Sequence, residues 1–584
     1  MRVDFGWGSS RIRGKHGQQQ GGLRGSLHRT AQDAAHGVGI AHPRASNEVI
    51  AAVDPSPIKV PVEVEEPTIP APPEDAEAGW QFLKVLWRHR KILMCCTFAN
   101  LGAAMYGFDN LTLSLCLSMQ PFVEDFGSLE GGVYAIPAYW QSLWNALAQV
   151  GTALGCYAAG PISDRFGRRL AFLVAAIISA AGVAVVYTSS SPGQFLGGKI
   201  INALGLGLAI TAGQTYVSEI TPTAIRGVAL SAFTMSMNLG YMIAASVAFT
   251  RISIPDRSGY KLVFAAEWIW PGLLLLGVPF IPESPYYLVR NGKMEAAAQS
   301  LRKLHHSAEP IEPVLQAIRS ITNHESYIKE GASFIECFRG INWRRTRIVL
   351  YANGLSQMLG ATFMSNAPYF MIVAGMSATS SAMLVELGIG LAIISSAFSF
   401  WAMTVFGRRT MILGGTVFAS SLFLIMGIAS SVPNQTKASL WCVGISLQLV
   451  WLSIGPVIGP AMALAGELSA VKLRAQTLAI GFLFNYTFST IFNVVVPYMF
   501  NTDAGNLGGK MGWIFFGASL IALVIIWLEF PETKGLSFAQ IEDRFEMRVK
   551  ARQFTKYHSE VDTTDVIKAS EEQVEYLEGT VAGK

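Results

Sequence analysis

Residues 160–169 read GPISDRFGRR, and a shortened second copy, FGRR, occupies 406–409. Each falls in a short polar gap between two apolar runs, nearly free of charge, of about 20 residues, the length that crosses a bilayer. Other marks recur in the same order. Glu219 is followed seven residues on by Arg226, and Glu467 seven on by Arg474. Pro282-Glu283-Ser284 is matched by Pro531-Glu532-Thr533. A chain that repeats its hydropathy and its loop chemistry in this way is built of two related membrane halves with a solute site between them.

Composition agrees. The 584 residues are 51% hydrophobic and 14% charged, with a mean hydropathy of +0.37; soluble domains carry about 25% charged residues. A net charge of +4 is too small and too dispersed for a nucleic-acid partner. The cysteines (95, 96, 116, 156, 337 and 442) show no CxxC or His-paired spacing, so no metal site is expected. Four of them lie in apolar runs and read as small buried hydrophobes. Cys95-Cys96 abuts a basic stretch, which leaves palmitoylation open. The first 80 residues are rich in Gly, Gln, His and Pro and have no signal-peptide core. They read as a disordered cytosolic tail; an incorrectly predicted first exon would read the same way.

Twelve apolar runs follow: Ile92–Met119, Tyr134–Gly160, Leu170–Tyr187, Phe195–Val217, Val228–Thr250, Leu262–Ile281, Ile348–Val373, Met383–Phe406, Met411–Ser431, Leu440–Ala465, Leu478–Phe500 and Met511–Phe530. They predict an all-α membrane protein of twelve spans in two pseudo-symmetric six-helix bundles. Residues 1–85 form the N-terminal tail, 86–284 the first bundle, 285–343 a helical linker, 344–531 the second bundle and 532–584 the C-terminal tail. Lysine and arginine crowd the gaps after runs 2, 8 and 10 and the long connection, and are missing after runs 1, 3 and 7. That places the even gaps and both termini in the cytosol. The gap after run 5, with Arg251, Arg257 and Lys261, goes against the trend. The sequon Asn434-Gln435-Thr436 falls on the outer side and is a glycosylation candidate. Within the linker, Met294–His305 and Val314–Ile321 have amphipathic helical spacing.

Few spans carry charge. A charge at mid-membrane costs roughly 2.5–3.5 kcal/mol on insertion scales, so each needs a reason. Asp109 lies too deep in run 1 to reach water. Lys199, in run 4, falls at a similar depth, and the two read as an ion pair that protonation of Asp109 would release. A static pair, or Lys199 snorkelling outward, are the alternatives. Glu267 is a rival partner for Lys199; Glu386, like Glu267, sits within two turns of an outer end. In the gaps, Gly160, Asp164, Arg165, Arg168, Arg169, Glu219 and Arg226, with Arg408, Arg409, Glu467 and Arg474, suggest a ring of cytosolic ion pairs that forms and breaks as the halves rock. Here Gly160 lets helices approach. Purely topogenic charge is the alternative. Thr234, Asn238, Ser356, Gln357, Thr362, Asn366, Gln448, Asn485, Tyr486 and Asn493 are candidates for binding a neutral polyhydroxylated solute, since amides donate and accept and rings stack on C–H faces. Helix–helix hydrogen bonding is the competing role for each.

GPISDRFGRR, YVSEITPTAIRG (216–227), PESPYYLV (282–289), FGRRT (406–410) and PETKG (531–535) together resemble the sugar porter family of the major facilitator superfamily. GYKLVFAAEWIWP (259–271), WAMTVFGRRT (401–410), VPYMFN (496–501), GGKMGW (508–513) and ARQF (551–554) resemble, more narrowly, the fungal α-glucoside:proton symporters. The resemblance implies the major facilitator fold, alternating access and a plasma-membrane location. It matches Asp109 to the family's helix-1 acid and Lys199 to its usual arginine partner. The pocket departs from the pattern: Thr234 replaces a glutamine, Ser356 replaces the first of the pair that ends in Gln357, Gly459 replaces a tryptophan, and Tyr486 replaces the tryptophan after Asn485.

The expected function is proton-coupled import of a sugar, an α-glucoside, oligosaccharide or hexose, by a monomer with no cofactor beyond the proton gradient. A nutrient sensor of the same fold and a facilitative carrier of another polyol-like solute are the alternatives. An enzyme is not expected, because no span carries a catalytic pair.

Overall fold

Backbone groups in lipid have no water to bond, so an apolar run must satisfy its own, and a helix does this locally. Helix occupies each of the twelve runs in this computed structural model, which describes residues 87–130, 133–304, 311–329, 333–432, 436–501, 503–536 and 538–557. The tail expected over 1–85 and the sequon at Asn434 lie outside the described residues.

The helices are α1 (Arg90–Cys116), α2 (Ala138–Phe166), α3 (Arg168–Thr188), α4 (Pro192–Ile220), α5 (Thr223–Phe249) and α6 (Ser258–Ala266, continued by Ile269–Gly277). The second half supplies α7 (Gly340–Met358, continued by Ala361–Ser365 and Ala367–Val373), α8 (Ala378–Val405), α9 (Arg408–Ser430), α10 (Lys437–Leu468), α11 (Arg474–Phe500) and α12 (Met511–Glu529). Among the described residues, nine helices are long and apolar enough to cross a membrane. The other three have visible reasons. α2 carries Gln141, Asn145 and Gln149 along its length. α6 breaks at Glu267-Trp268, and α7 breaks at Leu359-Gly360 and again at Asn366. Gly360 adopts φ +76°, a left-handed conformation that a side chain would resist, and so ends the first part of α7.

Pairing of helices repeats between the halves. α2 packs on α11 and α5 packs on α8. Shifting each helix by six in chain order turns the first contact into the second, so the two seams between the halves are symmetry mates, as the repeated motifs imply. Within the first half α4 is wedged between α2 and α3. Gly205 and Gly207 make this possible. A Cβ on Gly205 would meet Ser179 N of α3 at 2.7 Å, and one on Gly207 would meet Thr152 O of α2 at 2.0 Å. Gly160 does not act this way: nothing lies within 4 Å of its would-be Cβ. Its expected role in close approach is therefore wrong for this conformation.

Three features were not expected from sequence. A short antiparallel hairpin, β1 (Ser128–Glu130) with β2 (Val133–Ala135), joins α1 to α2 after a helix at Gln120–Phe126. Two of the three basic residues of the gap after α5, which break the charge pattern, find partners nearby. Arg257 Nη2 lies 2.7 Å from Asp125 Oδ1, and Lys261 sits over the Tyr187 ring. Part of the C-terminal tail is packed rather than free: the helix Phe538–Glu546 pairs Glu542 with Arg345 at 2.8 Å, and Phe554 is fully buried. The linker is helical as expected, over Pro285–Arg290, Met294–Leu304 and Ile311–Lys329, around Leu288, Val289, Ala297, Leu301 and Ile318. Its third helix runs well beyond the stretch read from periodicity.

These contacts give a paired prediction. Gly207→Val should destabilise the protein by about 1–3 kcal/mol or more, since backbone cannot move aside for the new side chain. Gly160→Ala should leave the unfolding temperature of detergent-purified protein unchanged. Equal effects at the two positions would refute the packing described.

Candidate functional site

Asp109 and Lys199 are both buried, on α1 and α4. Lys199 Nζ lies 2.6 Å from Asp109 Oδ1. Asn202, three residues along the same face of α4, donates its Nδ2 to the same oxygen at 2.8 Å. Asn202 is itself held by Ser179 Oγ of α3, which donates to its Oδ1 at 2.5 Å. Two donors thus converge on Oδ1, while Oδ2 receives no side-chain hydrogen bond among the described residues. The pair expected from sequence is formed, and its geometry excludes snorkelling by Lys199, whose side chain is 3% exposed. Asn202 and Ser179 were missed. Their spacing from Lys199 and from a neighbouring helix is a fact of packing with no sequence signal of its own.

Glu267 sits at the break in α6, 4% exposed; the Thr112 hydroxyl beside it donates to Phe108 O at 2.7 Å instead, which leaves both carboxylate oxygens buried without a well-formed hydrogen bond among the described residues. It lies close enough to Asp109 and Lys199 to interact with both. Lys199 bonds Asp109, so Glu267 is the unsatisfied rival. Glu386 accepts a 2.7 Å hydrogen bond from Ser246 Oγ of α5 across the seam between the halves.

At the end of the helices that carries the arginine motifs, the two halves repeat one arrangement. Arg168 Nη2 lies 2.6 Å from Glu219 Oε1 and 3.4 Å from Asp164; Arg408 Nη2 lies 3.1 Å from Glu467 Oε1. Glu283 accepts the backbone N–H of Arg168 at 2.9 Å and of Arg169 at 3.2 Å. Glu532 accepts those of Arg408 and Arg409 at 2.8 and 3.1 Å. The Pro-Glu-Ser and Pro-Glu-Thr repeats therefore cap the N-termini of α3 and α9, where unpaired N–H groups and the helix dipole both favour a carboxylate. Sequence reading saw these repeats but gave Glu283 and Glu532 no role. It also misplaced two of the arginines. Arg169 donates to Val278 O and Pro279 O, and Arg409 donates to Trp527 O. Arg165 lies over the Phe166 ring and joins no carboxylate pair among the described residues. Asp164 also binds Arg290 of the linker at 3.2 Å. Arg474 begins α11, partly buried, and the side chain of Arg226 lies outside the described residues. Among the described residues, the ion pairs made by Arg168 and Arg408 each join residues of one half and form two matching clasps.

The seam is held by other groups. Ser142 Oγ of α2 donates to Val494 O of α11 at 2.9 Å, and Ala138 N donates to Asp503 at 2.8 Å. Nearer mid-depth, Cys156 Sγ contacts Tyr486 OH at 3.4 Å, and Asn238 donates to Ser396 Oγ at 3.2 Å. Other candidate binding residues knit the second half together. Asn485 donates to Asn353 O at 2.6 Å and to Ser356 Oγ at 3.4 Å. Thr362 Oγ1 donates to Gln357 at 2.6 Å across the α7 break, Asn366 bonds back to Thr362 O, and Asn493 bonds back to Ser489. Thr234 is partly buried on α5. Gln357 and Asn485, expected to line one cavity, each have one end of the amide engaged within the protein, Oε1 of Gln357 and Nδ2 of Asn485.

The family model described as Sugar (and other) transporter matches residues 95–545. The chain belongs to this family. An MFS transporter of Aspergillus fumigatus, fmqE, is 29% identical over 81% of this chain and 90% of its own length. The general alpha-glucoside permease of Saccharomyces cerevisiae is 28% identical over 82% of this chain and 79% of its own. The inward-open xylose transporter XylE from E. coli covers 77% of this chain and 99% of its own, with a TM-score of 0.64 at 21% identity. That likeness establishes the major facilitator fold. This sugar-transporter chain is a multi-pass membrane protein and not an enzyme. Its departure at position 459 is visible in the packing: Gly459 faces Ser399 of α8, 3.6 Å from where a Cβ would stand.

The caps supply a second prediction. Glu283→Ala and Glu532→Ala should each cost about 1–2 kcal/mol of stability, the range for losing a helix cap. Arg165→Ala should stay within about 0.5 kcal/mol. Thermal unfolding of purified variants decides; caps that cost nothing would reduce the two repeats to sequence markers.

Proposed function

We propose that this chain imports a neutral sugar together with a proton by alternating access through twelve membrane-spanning helices. The observation that carries the reading is the buried Lys199–Asp109 pair with its asymmetric carboxylate. Oδ1 is saturated by Lys199 and Asn202, which leaves Oδ2 to take the proton. Once Asp109 is neutral, its hold on Lys199 weakens and the unpartnered Glu267 becomes the stronger attractor. Lys199 then tilts from α1 toward α6. A buried charge cannot be left alone without a cost of about 3–5 kcal/mol, so the exchange of partners is tied to a change in helix packing.

The substrate is an α-glucoside or a hexose. Relatives named for alpha-glucosides and for maltose support the first, and XylE, titled a proton:xylose symporter, supports coupling of this kind. The paucity of mid-span cations supports a neutral solute. The arginine-motif end faces the cytosol, along with both termini, as the loop charges indicate. The protein acts as a monomer in the plasma membrane, with no cofactor, and binds sugar, protons and lipid. Arg168–Glu219 and Arg408–Glu467 stiffen the cytosolic ends of the two bundles so that each moves as a body.

Uptake by a transporter-null cell, with a panel of mono- and disaccharides in acidic and neutral medium, tests the reading. The wild type should concentrate at least one sugar, more in acid. Asp109→Asn should abolish accumulation and keep exchange of that sugar. Asn202→Leu should shift the pH dependence while leaving the level at the membrane intact. Uptake that equilibrates without concentrating makes the chain a facilitative carrier, and binding without flux makes it a sensor. Continued accumulation by Asp109→Asn would remove that residue from the mechanism.

A further inference from the structure

One amide at mid-depth stands apart from the rest. Gln448 on α10 is 1% exposed, and neither Oε1 nor Nε2 has a hydrogen-bond partner among the described residues. The amides discussed above, Asn238, Asn485 and Gln357, all bond to protein, so helix–helix hydrogen bonding accounts for them and not for Gln448. It lies about 16 Å along α10 from the end remote from the arginine motifs, near the middle of a hydrocarbon layer about 30 Å thick. An amide buried there with no partner opposes folding.

Its surroundings are specific. Gly388 of α8 gives the amide its room: a Cβ there would lie 2.1 Å from Gln448 Oε1 and 2.9 Å from Trp451 Cδ1. Trp451, one turn along α10 from Gln448, meets Tyr241 of α5 edge-on at 6.0 Å between ring centroids. Tyr241 belongs to the first half and Trp451 to the second. The amide and both rings therefore stand where α5, α8 and α10 meet, at one of the two seams that separate when the halves rock. Each ring is 8% exposed. Gly459 has left α10 without the tryptophan the family pattern puts there, and Trp451 lies eight residues away on the same helix.

We propose that Gln448, Trp451 and Tyr241 form a substrate subsite that opens as the α5–α8 seam parts, with the amide taking a sugar hydroxyl and the rings taking the C–H face of the pyranose. The proposal rests on the sugar-import reading and assigns it a contact surface. An amide has two donors and an acceptor, which matches a pair of neighbouring ring hydroxyls. Aromatic faces pack on C–H surfaces. Because the polar group has no partner in the closed seam, a sugar that supplies one gains the full difference.

The test uses the full chain in a transporter-null cell. Wild-type uptake of labelled glucose, maltose and xylose is measured first, and the sugar it concentrates is then competed with its monodeoxy analogues. Gln448→Leu, which keeps the volume and removes the unpartnered amide, should fold at least as well as wild type. It should raise the KM by about tenfold, the value of one well-made hydrogen bond. It should also lose discrimination against one deoxy analogue and leave the others ranked as before. Trp451→Leu should raise the KM for every sugar alike. A Gln448→Leu variant with unchanged KM and unchanged deoxy-sugar ranking overturns the subsite, and so does one whose only defect is a lower unfolding temperature. If the wild type moves no sugar at all, the import reading itself falls, an outcome distinct from failure of the subsite.

Discussion

Lys199 and Asp109 form an ion pair almost wholly withdrawn from solvent, and the rest of the architecture can be read as what that pair requires. Taking two charges out of water is expensive, and the mutual attraction recovers the cost only with good geometry and further hydrogen bonds. The structure supplies these. Asn202 adds a second donor to the same oxygen, Ser179 fixes Asn202, and the tight α3–α4 and α2–α4 packing made possible by Gly205 and Gly207 holds the group in register. What is left over is as informative as what is satisfied. Both donors at Asp109 fall on Oδ1, and the carboxylate oxygens of Glu267 are buried beside a Thr112 hydroxyl that is spent on Phe108 O, so the site has one cation, two acids and spare acceptor capacity. A site in that condition responds to a proton.

The second constraint is rigidity. Coupling a proton to movement of half a protein requires that each half move as a unit. The clasps at the arginine-motif end serve this. Glu283 and Glu532 tie the N-termini of α3 and α9 to the ends of their own halves, and Arg168–Glu219 and Arg408–Glu467 tie the same points to α4 and α10. None of these bonds crosses the seam. Among the bonds that do cross it are those at Ala138, Ser142, Cys156, Asn238 and Ser246, each with at least one neutral partner and each lying between the middle of the helices and the opposite end. Strong bonds within the halves and weaker bonds between them are what a rocking mechanism needs.

Much of this was legible in the sequence, and the reasons are physical. Twelve apolar runs foretold twelve helical regions because length and hydropathy decide whether a segment can enter lipid. The Asp109–Lys199 pair was legible because buried opposite charges at one depth have few other partners. Asn202 was not, since an asparagine among apolar residues looks the same whether it faces a carboxylate or a backbone carbonyl. The cap formed by Glu283 was not, because a carboxylate far along the chain from the helix it caps carries no local spacing. The error about Gly160 has the same source: a glycine permits close approach without requiring it. The breaks in α6 and α7 were missed because hydropathy is blind to them. The pocket was the least legible part, as a polar residue in a span serves helix packing and solute binding with equal composition.

The central claim is that sugar and proton move together through a site built on Asp109 and Lys199. Charge movement in proteoliposomes containing the purified chain tests it most directly, because the lipid and the protein are then the only components. A jump in concentration of the transported sugar, applied without a pH gradient, should carry net positive charge in the direction of sugar movement and make the medium on the side of addition more alkaline. Sugar entry that moves no charge and changes no pH would contradict the account.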